Sequence, residues 1–170
     1  GMTLLDIGCG WGFLLIEAAK KYHIKGTGIT LSKEQHREFR ERIEKEGLQD
    51  YLTAELMDYR DLPAMGQKFD RVVSVGMVEH VGRENYHLFI DCVEKALKDG
   101  GLFLLHFISA LKEHPGDPWI KKYIFPGGVV PSLREMISCM ADDNFHVLDV
   151  ENLRPHYNRT LLCWEHNFRE

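Results

Sequence analysis

Short apolar runs alternate along the chain with longer stretches in which apolar residues recur at helical spacing among charges. Thr3 to Ile7 is apolar and enters a cluster of three glycines, Gly8, Gly10 and Gly12, after which Phe13 to Tyr22 is apolar-rich and helix-forming. The pattern predicts strand, tight turn, helix. The unit repeats, with a strand over Lys25 to Thr30, a helix over Ser32 to Glu46 carrying Phe39 and Ile43 among charges, and a strand over Leu52 to Met57. A strand over Phe69 to Val75 follows, then a helix from Asn85 to Leu97 closed by Asp99-Gly100-Gly101, and a strand over Leu102 to Phe107. Residues 109–131 break the rhythm with four prolines and three glycines, yet carry Trp119, Ile120, Tyr123, Ile124 and Phe125. Aromatic and aliphatic side chains at that density call for burial, so the stretch reads as an ordered lid-like insertion. A helix over Ser132 to Met140, a strand over Phe145 to Val150 and a last helical run beginning near Arg159 complete the pattern. Alternating strands and helices predict an α/β fold with a doubly wound, mostly parallel sheet in a single domain.

Composition narrows the function. The 170 residues include 26 acidic and 21 basic side chains, a net charge of −5, with no Lys/Arg cluster, so there is no electrostatic footprint for a nucleic-acid backbone. Apolar runs stop well short of the roughly 18 residues of a membrane span. Cys9, Cys92, Cys139 and Cys163 are too far apart for a metal knuckle and too few for a disulfide scaffold, which points to reduced thiols in a cytoplasmic protein with no structural metal. Gly1 before Met2 reads as the scar of a cleaved tag.

The candidate chemistry begins at Asp6-Ile7-Gly8-Cys9-Gly10-Trp11-Gly12, which ends a strand and opens a helix. Glycines there allow a turn that a ligand can approach closely, and the helix start offers free N–H groups. The dinucleotide fingerprint would need a glycine where Phe13 stands, so the spacing is G-x-G-x-G behind an acid. That segment resembles the cofactor loop of enzymes that bind S-adenosylmethionine. At the next strand end, Thr30-Leu31-Ser32-Lys33-Glu34-Gln35 lacks the acid that commonly grips ribose hydroxyls, leaving Thr30 and Gln35 to substitute. Ser32 and Gln35 are also spaced as a capping box, and both readings stand at this point.

Taken together, three blocks resemble the cyclopropane fatty acid (mycolic acid) synthase family of S-adenosylmethionine-dependent methyltransferases: Leu5 to Gly12, Gly28 to Gln35, and Val75-Gly76-Met77-Val78-Glu79-His80-Val81-Gly82. The likeness continues through Leu104 to Ile108, Lys122 to Gly128, and Pro155 to Leu161 with Trp164, and so covers essentially the whole chain. It implies a Rossmann-like class I methyltransferase that passes a methyl group from the cofactor to a cis double bond of a phospholipid acyl chain, with bound bicarbonate as base. It further implies a cytoplasmic protein, peripheral at the inner membrane face. By the same resemblance Glu79, His106, Tyr157 and the N–H of Ile108 hold the bicarbonate. Cofactor contacts fall on Asp6, Gly8, Cys9, Gly10, Trp11 and Gly12, on Thr30, Leu31 and Gln35, on Asp58 and Tyr59 against the adenine, and on Val75. Plainer readings accompany several of these. Glu79 could be a helix-terminal acid, His106 a core histidine, Tyr157 a packing residue and Asp58 a solvated loop charge.

The family's pattern also includes a helical segment before the first strand and a final antiparallel strand, neither of which this sequence contains. On that comparison the chain is truncated at both ends, the Phe145 to Val150 strand lacks its neighbour, and no activity or very weak activity on dispersed phospholipid is expected, with self-association as a homodimer. Two other functions fit the residues: a small-molecule amine N-methyltransferase, and an inactive fragment that binds cofactor.

Overall fold

The computed structural model describes residues 1–170 as one parallel sheet with helices on both faces. Its strands are β1 (Thr3–Ile7), β2 (Lys25–Thr30), β3 (Leu52–Leu56), β4 (Phe69–Val75) and β5 (Leu97–His106), ordered β3-β2-β1-β4-β5 with every pairing parallel. Chain order reverses between β1 and β4, the switch point beside which open α/β sheets place their ligands at the strands' carboxyl ends.

Helices α1 (Phe13–Tyr22) and α2 (Lys33–Lys45) bury Leu15, Ile16, Ala19, Phe39 and Ile43 with Leu52 and Ala54 of β3 on one side. After a short α3 (Leu62–Met65), α4 (Tyr86–Ala96) buries Phe89, Ile90 and Val93 against Leu5, Ile7, Phe69 and Val72 on the other, where Met136 and Cys139 of α6 (Leu133–Asp142) join them. Ser132 caps α6 in a full capping box with Glu135, which explains why this helix starts so sharply.

Four features differ from the sequence reading. The Asp99-Gly100-Gly101 segment does not end a helix before a new strand: β5 already pairs Leu97 with Phe69, then bulges through Gly100 at φ +72° before Leu102 meets Arg71. Residues 145–150 form no strand. Phe145 packs on Phe103 with ring centroids 5.9 Å apart, but no chain lies alongside the next residues to complete a ladder, and Asp149 and Asn152 instead turn back on the N–H groups of Val150 and Arg154. The last helix, α7 (Arg154–Arg169), starts five residues before Arg159, because Pro155 is acceptable in a first helical turn, and it buries no residue. The lid contains a short helix, α5 (Pro118–Tyr123), capped by the Asp117 carboxylate, and its aromatic residues are exposed rather than buried. No helix is long and apolar enough to cross a membrane.

The glycine turn between β1 and α1 is set by space as much as by dihedral angle. Gly12, at φ +79°, faces the buried ring of Phe39, and a Cβ there would lie 1.9 Å from Cδ2. Gly10, at φ +55°, has nothing within 4 Å of the same position. Gly12→Ala is therefore expected to lower stability by about 3 kcal/mol from ring overlap plus left-handed strain, and Gly10→Ala by about 1 kcal/mol from strain alone. Denaturant melts of the two variants check this, and equal losses would contradict the seat assigned to Phe39.

Candidate functional site

The carboxyl ends of the strands bring most of the singled-out residues to one edge of the sheet. β1 delivers the loop from Asp6 to Gly12, β2 delivers Thr30 to Gln35, β4 delivers Val75 to Glu79, and β5 delivers His106 and Ile108. The β1 and β4 loops meet across the switch point. The Ser74 hydroxyl donates to the Ile7 carbonyl at 3.0 Å, and Met77 lies so close to Gly8 that a Cβ there would stand 2.8 Å from its Cγ. Met77 was not singled out from the sequence, although its place between Gly76 and Glu79 is the signal that could have marked it.

Asp6 is the electrostatic centre of this edge. It is 3% exposed, lies beside Gly28 and Val73 in the sheet, and no hydrogen bond or ion pair reaches its carboxylate. Burial pushes its pKa up to about 7. The Cys9 thiol is pushed up to about 12, by burial first and by the Asp6 charge second, so Cys9 is a small buried neighbour rather than a nucleophile. Above this pair Gly10 leaves open space, and α1 begins at Gly12 with no side-chain cap and no acid in its first turn. An unpaired buried carboxylate, a turn that any side chain would fill and uncapped helix N–H groups together fit a small zwitterionic or nucleotide-like cofactor carrying a cation to Asp6. Trp11 stands part-exposed at the rim of the turn.

At the end of β2, the Thr30 hydroxyl donates to Gln35 Oε1 at 2.8 Å, while Gln35 N–H donates to the Ser32 hydroxyl at 3.2 Å. Ser32 caps α2, but Ser32 N–H turns to Thr30 Oγ1 rather than to Gln35, so the reciprocal half of a capping box is absent. Gln35 is thereby held against Thr30 with its amide N–H₂ free to donate. Leu31 is largely exposed beside them.

Asp58 does not offer a free carboxylate. It caps the 3₁₀ turn Tyr59–Asp61 and holds the Arg60 guanidinium in two bonds at 2.9 and 2.6 Å, and that hydrogen bonding keeps its pKa below the usual carboxylate range. The Tyr59 ring packs edge-on to Phe89 at 5.3 Å, which aims it into the core.

Glu79 sits in a 3₁₀ turn after β4. Its Oε1 accepts the Ile108 N–H at 2.8 Å, and its Oε2 is buried with no partner. Its main-chain carbonyl accepts the Val129 N–H at 2.8 Å, which ties the end of the lid to the same turn. The resemblance had assigned Ile108 N–H to an external base, but within the protein that donor serves Glu79. His106 is paired in register with Val75, and both are exposed at the end of the sheet. Tyr157 is not gathered with them. It stands about half exposed on α7, its ring on Trp164 of the same helix at 6.0 Å, and it makes no hydrogen bond to Glu79, His106 or Ile108.

The state of Asp6 has a measurable consequence. Its folded pKa of about 7 lies above the ordinary 3.8, so the folded state holds the extra proton between those values. Its contribution to stability is fully present at low pH and is lost as pH rises through 7, with a ceiling of about 4 kcal/mol. Asp6→Asn should therefore gain stability relative to the wild type between pH 5 and pH 8, as read by urea melts without ligand. A stability difference between the two proteins that does not change with pH would contradict an unpaired buried carboxylate.

Comparison with known proteins shows the family of the chain. The chain matches the family model for mycolic acid cyclopropane synthetase over residues 1–170. It is 45% identical over 169 residues to the cyclopropane-fatty-acyl-phospholipid synthase of Escherichia coli K12, which covers 99% of this chain and 42% of that protein. The chain thus spans less than half the length of that curated relative. Its fold matches a cyclopropane synthase from Mycobacterium tuberculosis with a TM-score of 0.86 at 32% identity, over 96% of this chain and 61% of the other. A mycolic acid cyclopropane synthase complexed with SAH and CTAB matches with a TM-score of 0.85, also at 32% identity and over the same shares of the two chains. With the parallel sheet, the glycine turn and the match along its whole length in agreement, the chain belongs to the mycolic acid cyclopropane synthetase family of class I methyltransferases.

Proposed function

We propose that this chain is the catalytic part of an S-adenosylmethionine-dependent cyclopropane-fatty-acyl-phospholipid synthase, with bicarbonate as the base. The observation that carries the reading is Glu79, a carboxylate fixed at one oxygen by the Ile108 N–H and left buried and unpaired at the other. A buried acceptor without a donor costs about 1–3 kcal/mol, more when charged, so the site is built for a ligand that donates there.

When bound, S-adenosylmethionine supplies an electrophilic methyl group, and its transfer to an acyl double bond leaves a substrate cation that closes to a ring as the former methyl gives up a proton. Asp6 would neutralise the positive end of the cofactor, Gly10 would leave room for it, and the Thr30–Gln35 pair would present amide donors to its hydroxyls. Glu79 Oε2 would accept the O–H of bicarbonate, turning the basic oxygen of that ion toward the proton to be taken. With its carboxylate held by the Ile108 N–H and its main chain by the lid, Glu79 keeps its geometry and is not itself delivered to the cation. His106, at the adjoining strand end, would be a second partner. Ile108 N–H takes no direct part, and Tyr157 joins only if α7 moves from the position it holds here. Asp58 would reach an adenine only on release from Arg60.

An amine N-methyltransferase is the second reading, because the free oxygen of Glu79 would also accept an amine N–H. The two separate on the base: ring closure needs one at the former methyl, whereas amine methylation does not. In radiolabelled methyl transfer to cis-unsaturated phospholipid by the intact protein, Glu79→Gln is expected to lose at least about 100-fold in turnover while cofactor affinity stays within about twofold. Stripping dissolved carbon dioxide should depress the wild-type rate, and added bicarbonate should restore it. Undiminished turnover by the variant would reduce Glu79 to a structural acid, and a rate indifferent to bicarbonate would remove the proposed base.

A further inference from the structure

We propose that the outward face of α5 and the turn after it form a docking surface for an anionic phospholipid bilayer, set at the mouth of the site beside Glu79. The proposal rests on the lipid reading above only for what is delivered there.

The helix is inverted relative to a core-facing one. At about 100° per residue, Trp119, Tyr123, Ile120 and Ile124 occupy one arc of about 140°, with Lys121 and Lys122 outside it. A helix packed on a core would turn that arc inward. Here Trp119 is 60% exposed, Tyr123 61%, Ile124 49% and the following Phe125 53%. Lys121 is the residue turned toward the protein, lying along Gly116. Trp119 and Tyr123 stand together, with ring centroids 5.7 Å apart, and the Lys122 ammonium lies 5.0 Å from the Tyr123 ring.

The surface is held in place. Arg83 donates to the His114 and Val130 carbonyls at 3.1 and 3.2 Å and to Glu135 at 2.5 Å, which clamps both ends of the segment to α6. Asp117 caps the helix, and Phe125 lies edge-on to His80, the neighbour of Glu79, at 6.2 Å. An outward apolar face kept ordered by polar clamps beneath it is presented for contact.

Charge selects the occupant. In a chain of net charge −5, residues 119–125 contain two lysines and no acid. A second copy packed through this face would set the exposed Lys122 against its own equivalent, whereas an anionic bilayer surface meets both requirements. Trp and Tyr rings take the interface between headgroups and acyl chains, isoleucine and phenylalanine enter beneath it, and the exposed Lys122 pairs with headgroup phosphates.

The test is vesicle binding without cofactor, which separates docking from catalysis. The wild-type protein should bind vesicles of phosphatidylglycerol and phosphatidylethanolamine at least tenfold more tightly than vesicles of phosphatidylcholine. Trp119→Ala combined with Phe125→Ala should lower binding at least tenfold with an unchanged circular dichroism spectrum. Lys122→Gln should lower the preference for anionic vesicles, whereas Lys121→Gln, on the side turned to the protein, should leave it unchanged. Acyl chains brominated near the headgroup should quench wild-type fluorescence more than that of Trp119→Phe. No binding by the wild type, full binding by the aromatic double variant, or self-association abolished by that variant while vesicle binding persists would each overturn the proposal. Docking without methyl transfer would fault the functional reading and leave the surface standing. Turnover on detergent-dispersed lipid without vesicle binding would do the reverse.

Discussion

The carboxylate of Asp6 has no cation of its own, and the arrangement of the site follows from that constraint. A charge buried at a strand end with no partner is tolerated only where a ligand or a proton completes it. Here the proton completes it up to about pH 7. The surrounding residues are those that keep the position open. Gly28, its neighbour on β2, has no side chain, and the room is taken by Phe39 and Cys9. Phe39 in turn demands glycine at position 12. The buried acid, the buried ring and the left-handed turn are thus one packing solution, and the open volume at Gly10 is what remains.

On the other side of the switch point a second carboxylate is left half-satisfied, by a different means. The carboxylate is that of Glu79. It is anchored at one oxygen by the backbone N–H of Ile108, just past β5, and has its second oxygen sealed from water. The Gly8–Met77 approach and the bond from Ser74 to Ile7 join the two halves, so a ligand on the glycine turn and a donor on Glu79 would be neighbours across the same crevice. One acid awaits positive charge and the other a hydrogen-bond donor, as the proposed use of a sulfonium cofactor with a protonated anion requires. The chain's span, 42% of the Escherichia coli relative, leaves the activity of the whole protein as a proposal built on this edge.

What the sequence made legible was local. Strand, glycine turn and helix could be read from Thr3 to Tyr22 because period and turn residues agree there, and the helix opening at Ser132 was read in its place as well. The sheet edge that gathers Asp6, Thr30, Glu79 and Ile108 follows from alternation of strands and helices, since parallel strands put all their carboxyl ends on one side. The rest depended on partners distant in sequence or absent from it. Phe145 to Val150 has strand-like composition but no neighbour to pair with. Asp58 looked free because nothing in the spacing reveals that Arg60 would fold back on it. The aromatic residues of the lid were read as wanting burial, and the polar clamp from Arg83 that holds them outward joins residues about 30 to 50 positions apart. Tyr157 was placed by resemblance alone, and α7 keeps it on its own surface.

The central claim is that the turn at Gly10 and the unpaired carboxylate at Asp6 form the S-adenosylmethionine site. Calorimetric titration with that cofactor at pH 6 and pH 8, in two buffers of different ionisation enthalpy at each pH, tests it most directly. The account predicts saturable binding that is tighter at pH 8, with close to one proton released per cofactor bound at pH 6 and little at pH 8, because a cation must displace the proton of Asp6. Binding without proton release at pH 6, or no binding at either pH, would contradict it.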